Sequence, residues 1–282
     1  MSLIAGNRNC WRAEMTLIFD ERVQVELLGR AWGDFHPTKS AEAHILLVRA
    51  SVSHKFAELF LPSVAFTNRV AGRLDSNAFR LDDVPPLAWR TTTKADGGII
   101  VNDPSVAVGI CNADCHIGVI YEPRRHILCV VHLGLKCFHR PDGEPSILQE
   151  AIKVLRCDSS DLLFTFGGGA GPCCFGYDLH DPKFGDQNIR QAQDLRNRFG
   201  EDAVKGEVER GPRRGFAAHD LPTMILRHAQ DLGLAIQDID FTCTSCAGLK
   251  VEGENEVGER MFWSNLRGDV NNRNFFFARL VG

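Results

Sequence analysis

Two apolar, β-branched runs separated by a short polar stretch containing proline constrain this chain more than any other feature. The segment reads His116-Ile-Gly-Val-Ile-Tyr121, then Glu122-Pro-Arg-Arg125, then His126-Ile-Leu-Cys-Val-Val131. Runs of this kind around a turn signal predict a buried β-hairpin. With the tetrapeptide as the loop, Tyr121 pairs with His126, and counting outward sets Cys115 opposite His132. Directly opposed residues on one face hold their Cβ atoms about 4.5–5.5 Å apart, close enough for a thiol and an imidazole to share a proton or a metal. Asp114 precedes the thiol and Gly134 follows the imidazole closely. A buried core cysteine beside an unrelated histidine stays open as the plainer alternative.

The remaining elements fall along the chain without a linker, a repeat or a low-complexity stretch. Residues 1–14 read as a loose start or tag, and residues 15–282 as a single α+β domain. Strands are expected at Met15–Phe19, His44–Val48, Gly98–Val101, Val106–Cys111, Leu162–Phe166, Ile239–Cys243 and Asn274–Leu280, with a proline-containing stretch near Asp82–Pro86. Helices are expected at Ser53–Phe60, Ser146–Leu155, Gln187–Phe199 and Asp220–Leu232. Pro145 suits the second of these as a helix start, and Asp220 suits the last as an N-cap.

Bulk composition narrows the function classes. The 282 residues carry a formal net charge of −4, which gives no support for a nucleic-acid or anionic-membrane partner. No apolar run approaches the ~20 residues that span a bilayer, and the N-terminus lacks a signal-peptide plan. The ten cysteines therefore read as thiols in a reducing, cytoplasmic compartment. Cys173-Cys174 and Cys243-Thr-Ser-Cys246 invite a structural zinc reading. The first pair is adjacent, which is poor geometry for joint chelation, so no four-cysteine site is expected.

Gly167-Gly-Gly-Ala-Gly-Pro172 follows a strand. It lacks the Lys-Ser/Thr of a phosphate-binding loop and does not open a helix, so a tight backbone crossing beside the hairpin is the preferred reading. Its glycines, Gly171 among them, remain candidates to border a ligand. Arg267 and Arg273, with Ser264, lie in an aromatic C-terminal context where guanidinium groups can hold a phosphate or carboxylate.

Together these segments resemble the YfiH-like family, labelled polyphenol-oxidase or laccase-domain proteins and associated with purine nucleoside phosphorolysis and adenosine deamination. Ala113-Asp-Cys115 is similar to the family's Ala-Asp-Cys step, and His132-Leu-Gly134 to the start of its His-Ala-Gly-Trp-Arg-Gly motif. Phe166–Phe175 resembles its Ile-Gly-Pro-x-Ile-Gly-Pro-x-x-Tyr segment. Cys243-Thr244, Phe262-Trp-Ser264, Arg267 and Arg273 fall where the family has Cys-Thr, Phe-Phe-Ser-Tyr-Arg-Arg and a Gly-Arg step. The likeness covers roughly residues 60 to 280.

The resemblance implies an α/β/β/α layered sandwich with mixed sheets flanked by helices. It also implies a zinc site made of a histidine from Gln-Val-His-Gly, the cysteine of Ala-Asp-Cys, and the histidine at His132. Here Arg69-Val-Ala-Gly72 matches the first motif, so Ala71 stands at the first ligand position and the metal set is incomplete. Leu135 and Lys136 replace the Trp and Arg of the second motif, and Ile117 replaces a proline. His54, His116 and His139 are candidate substitutes, with His116 disfavoured because strand alternation turns it away from Cys115.

Three functions follow as expectations. The first is a zinc-assisted purine nucleoside enzyme, taking a purine nucleoside and phosphate, with Cys115 and His132 as ligands. Arg267, Arg273, Gly171 and Ser264 would stand near the substrate. The second is a metal-free hydrolase or deamidase with Cys115 as nucleophile, His132 as base and Asp114 in support; the fold implied resembles the deamidase domain of cytotoxic necrotizing factor. The third is a non-catalytic member that binds a nucleotide or a protein. A copper oxidase is not expected, because none of the ten histidines forms a His-x-His pair.

Overall fold

A computed structural model describes residues 14–35, 46, 50–51, 54–62, 64, 69–72, 78–80, 87–91, 94–140, 143–252 and 255–281. The hairpin sits at the centre. Its arms, β9 (His116–Glu122) and β10 (Ile127–Leu133), are buried at every position. A strand buried on both faces reads as an uninterrupted apolar run, which is how these two read.

The hairpin belongs to a six-stranded sheet in the order β15 (Ala235–Ile236), β11 (Leu163–Gly167), β9, β10, β7 (Gly97–Val101), β4 (Val70–Gly72). A seven-stranded sheet lies across it. Its order is β1 (Glu14–Asp20), β2 (Val23–Leu28), β18 (Asn274–Leu280), β8 (Val106–Asn112), β3 (Glu58–Leu61), β6 (Leu87–Thr91), β5 (Ala78–Arg80). A small sheet holds β12 (Gly176–Tyr177), β14 (Ala217–His219) and β13 (Val204–Glu207), and β16 (Leu249–Glu252) pairs with β17 (Asn255–Gly258).

Alternation sorts the hairpin side chains into two cores. Ile117, Val119, Leu128 and Val130 meet Phe60, Val108 and Phe276 between the sheets. Ile120, Cys129, Val131 and Leu133 face the other way, toward the helices. These are α1 (Leu135–Phe138), α2 (Ile147–Leu155), α3 (Gly185–Phe199) and α4 (Leu221–Asp231). A third cluster, with Trp32, Phe35, Phe56, Phe275 and Phe277, covers the far face of the seven-stranded sheet. The layering agrees with the single mixed α/β domain expected from the sequence. No helix among the described residues is long and apolar enough to cross a membrane.

Helix boundaries follow from their caps. The Ser146 side chain accepts from the Gln149 backbone while the Gln149 side chain accepts from the Ser146 backbone, closing a capping box. Asp220 caps α4 by accepting from the Thr223 backbone at 3.0 Å.

Four expectations are corrected. The hairpin register is Tyr121 with Leu128 and Ile117 with His132, two residues away from the count above. The cause is Glu122, whose carboxylate accepts from the Arg124 and Arg125 backbone at 3.0 and 2.8 Å and so ends the strand one residue later. His126 then takes a left-handed turn conformation, φ 53°. The helix expected at Ser53–Phe60 gives way over Glu58–Leu61 to β3, a buried strand lying parallel between β6 and β8. Ile239–Cys243 is irregular, because pairing with β11 ends at Phe164 with Ile236. Leu46 is helical, against the strand expected at His44–Val48, whose other residues lie outside the described set. So do residues 1–13 and Asp82–Pro86, while Glu14 already belongs to β1.

Candidate active site

Shifting a register by two leaves every side chain on its original face. Cys115, immediately before β9, therefore keeps the parity of Ile117, and His132 that of Val130. Both look toward the space between the sheets, on diagonal positions within side-chain reach. The Cys115 thiol lies near enough to the His132 ring for a charge on the sulfur to favour the imidazolium.

A third group completes the arrangement. His132 Nδ1 donates to Asp96 Oδ1 at 2.7 Å. Asp96 stands one residue before β7, and its backbone bridges two strands: its N–H donates to the Arg69 carbonyl at 2.9 Å and its carbonyl accepts from His132 N–H at 2.6 Å. The carboxylate is fully buried and the imidazole nearly so, whereas Cys115 is partly exposed. The order from solvent inward is thiol, imidazole, carboxylate. Burial alone would keep the imidazole neutral. The negative charge available at Cys115 and the hydrogen bond that the ring donates to Asp96, with Cys137 beside it, outweigh it, so His132 is held well above its ordinary range. Cys137 Sγ lies 3.6 Å from Nδ1, and burial pushes that thiol up.

Asp114 stands apart from this relay. Its carboxylate accepts from Ser264 Oγ at 3.0 Å, Leu266 N–H at 2.8 Å and Thr244 Oγ1 at 3.4 Å. Burial raises its pKa to about 6 against those hydrogen bonds. Held at φ 74°, it tethers the Cys115 turn to the C-terminal segment. The glycine run is the close crossing expected: Gly167 pairs with Ile117, and a Cβ on Gly169 would meet the His116 ring at 2.3 Å. Asn112 Nδ2 clamps both turns, donating to the Cys115 and Gly168 carbonyls at 2.7 and 2.8 Å.

The other sequence candidates lie elsewhere. Arg267 forks onto Glu256 at 2.6 and 2.8 Å, and Arg273 caps carbonyls of its own turn. Ser264 holds Asp114, and Gly171 N–H donates to Cys243 Sγ. His54 packs against Trp32 and Phe277, His116 contacts the Ala170 carbonyl, and His139 pairs with Asp194 at 3.0 Å. Asp96 and Cys137 were missed by sequence reasoning. Asp96 had one local sign, an acidic residue opening the Gly97-Gly98 strand start, and Cys137 lies five residues beyond His132.

A groove of about 360 Å³ is lined by Tyr177, Phe184, Asn188, Arg213 and Phe216 among others. Tyr177 lies near enough to Cys115 that burial and the sulfur's charge both push its phenol up, against Arg213.

The sequence matches, over residues 41–250, the family described as multi-copper polyphenol oxidoreductase laccase. The chain belongs to this family. Its structure is similar to Bacillus licheniformis YfiH, a hypothetical protein, with TM-score 0.65 and 17% identity over 92% of this chain and 93% of that one. A Neisseria meningitidis DUF152 protein gives 0.65 and 13% over 96% and 100%. YlmD from Geobacillus stearothermophilus gives 0.63 and 16% over 94% of each. No curated protein matches the sequence.

Among the described residues, two groups of side chains bring possible metal donors together: Asp96, His132 and Cys137, and Cys173, Cys174, Cys243 and Cys246. The first does not suit a catalytic metal. Asp96 Oδ1 and His132 Nδ1 are in direct hydrogen-bond contact at 2.7 Å. A tetrahedral zinc binding both at about 2.0–2.1 Å would spread them to about 3.3 Å. All three residues are buried, which leaves no open position for substrate. Ala71, buried in β4 and paired with Gly98 in β7, adds only a methyl group. Copper of the laccase kind needs several imidazoles, and this group has one.

Proposed function

We propose that the chain is a hydrolytic deaminase of a purine nucleoside, working through Cys115, His132 and Asp96. One observation carries the reading: a solvent-reaching thiol close to an imidazole that is fixed by a buried carboxylate. Nucleophile, base and orienting group in that sequence are the parts of covalent catalysis. The groove lined by Tyr177, whose phenol feels the Cys115 sulfur, supports the substrate class, since aromatic faces stack on a purine and Arg213 offers donors to its heteroatoms.

Asp96 fixes the proton on Nδ1, so Nε2 is the position that accepts the Cys115 proton. The thiolate adds to the amidine carbon bearing the amino group. His132 returns its proton to the departing nitrogen and ammonia leaves. Water, deprotonated by the same imidazole, then adds to the carbon and expels the thiolate, so adenosine and water become inosine and ammonia. Asp96 stays ionised throughout and stabilises the imidazolium.

Conversion of adenosine tests this, with and without phosphate, by chromatography of inosine, hypoxanthine and adenine. Inosine formed by the wild type and lost in Cys115→Ala supports the reading. No product above that control removes it, and saturable adenosine binding without turnover would favour a non-catalytic binding member. Adenine or hypoxanthine that requires phosphate would point to phosphorolysis instead.

A zinc-assisted form of the purine reading would need a donor set other than Asp96, His132 and Cys137, whose contact and burial do not suit a catalytic metal. Zinc that leaves on His132→Ala would put it ahead.

A further inference from the structure

Away from the relay, two loops bring four sulfurs together. Cys173 and Cys174 follow the glycine run. Cys243 and Cys246 flank a turn in which Ala247 N–H donates to the Cys243 carbonyl at 2.9 Å. All four Sγ atoms lie within 4.8 Å of one another, and Cys173 to Cys246 is 3.6 Å. A zinc ion with four bonds of about 2.3 Å spreads its sulfurs to about 3.8 Å, so the spacing matches a tetrahedral shell.

We propose that Cys173, Cys174, Cys243 and Cys246 form a closed structural zinc site, separate from the Cys115 relay. Cysteine-only donors favour a soft, thiolate-binding ion, and a full set of four protein ligands leaves no place for substrate. Adjacent cysteines are poor joint ligands where the chain runs extended. Here it turns: Cys174 and Phe175 N–H both donate to the Gly171 carbonyl at 3.0 Å. Zinc-bound thiolates carry an excess negative charge that needs donors around it. These are present. Gly171 N–H reaches Cys243 Sγ at 3.2 Å, Arg267 Nη2 stands 3.9 Å from Cys174 Sγ, and the Arg210 guanidinium lies near enough to Cys246 for their charges to attract.

The site would clamp the loops that Asp114 ties to the Cys115 turn. Thr244, between the two ligands of the second loop, donates its N–H to the Gly169 carbonyl at 3.0 Å and its hydroxyl to Asp114. The β16–β17 hairpin begins three residues after Cys246, and its Glu256 holds Arg267 beside the sulfurs.

Elemental analysis of untagged protein from zinc-supplemented culture is the test, with reactive-thiol counting before and after chelator. We expect one zinc per chain, retained in Cys115→Ala and His132→Ala and lost in Cys243→Ser and Cys246→Ser. Four thiols should become reactive when zinc is stripped. Should the serine variants fail to fold, cobalt replacement in the wild type decides. Thiolate-to-cobalt charge transfer with tetrahedral ligand-field bands supports the site. Four thiols freely reactive in folded protein exposed to equimolar zinc would overturn it. So would a Cys173–Cys246 disulfide, or zinc that departs only with His132.

Discussion

Two sulfur centres are connected through the glycine run, and they differ in what faces the thiol. Cys115 faces an imidazole backed by a buried carboxylate, and it alone of the three reaches solvent. Cys173, Cys174, Cys243 and Cys246 face one another, with two guanidinium groups and a backbone N–H around them. A thiol opposite a base can give up its proton and attack. Thiols opposite thiols have no base to do this and are instead suited to sharing a cation. The chemistry of each cysteine is thus set by its neighbour across the gap rather than by its own burial.

The largest expected effect comes from crossing the two centres. Cys115→Ala should lower adenosine turnover by about 10⁴-fold or more, the scale of losing a covalent nucleophile, and leave the zinc content unchanged. Cys246→Ser should do the reverse in kind, losing metal first. Steady-state rates and elemental analysis on the same preparations check both. Loss of metal in Cys115→Ala would merge the centres into one.

The first centre was legible in sequence and the second was not, for a physical reason. Strand alternation is local, so Cys115 and His132 could be placed on one face from spacing alone, and a two-residue error at Glu122 left that face unchanged. Asp96 arrives through the pairing of β7 with both β4 and β10, contacts between segments 25 or more residues apart in sequence that no local pattern reports. The four cysteines likewise meet through tertiary folding, and their adjacent pair looked unusable until the turn at Gly171 set its direction. Apolar Leu59 and Phe60 read equally well as helix or buried strand, and the parallel pairing with β6 and β8 on either side decides for strand.

Asp96→Asn probes whether the relay is catalytic or merely a packed polar group. The amide can still meet Nδ1 but can neither stabilise the imidazolium nor favour the same tautomer. The expected loss in kcat is about 10²–10⁴-fold, with KM little changed. A change confined to KM would remove Asp96 from the relay. Saturation kinetics separate the two.

Acid should weaken the scaffold that both centres share. Burial lowers His219 and His228 to about 4, and His228 Nε2 meets Ser146 Oγ at 2.7 Å. A histidine lowered in the folded state takes its proton first when unfolded. Stability is therefore complete above about pH 6.5 and is lost as pH falls toward 4, by up to about 3 kcal/mol for each group. Urea midpoints at pH 7 and pH 4.5 measure the loss, which His228→Gln should reduce. An unchanged loss in that variant would assign the acid sensitivity elsewhere.

The smallest predicted effect falls where the two centres touch. Gly169 gives its carbonyl to Thr244, between two of the cysteines, while its α-carbon lies against His116, the residue after Cys115. A Cβ there would stand 2.3 Å from the ring, and both the ring and the strand carrying it are buried. Gly169→Ala should cost about 1–3 kcal/mol as an overpacked core position, read from denaturant midpoints. The same shift has two directions available. If the ring moves, turnover falls and zinc stays; if the loop moves, zinc is held more weakly and turnover falls with it. Measuring both properties on this one variant shows which centre is the more firmly anchored. A variant as stable and as active as the wild type would mean that the loop gives way freely and couples neither centre to the other.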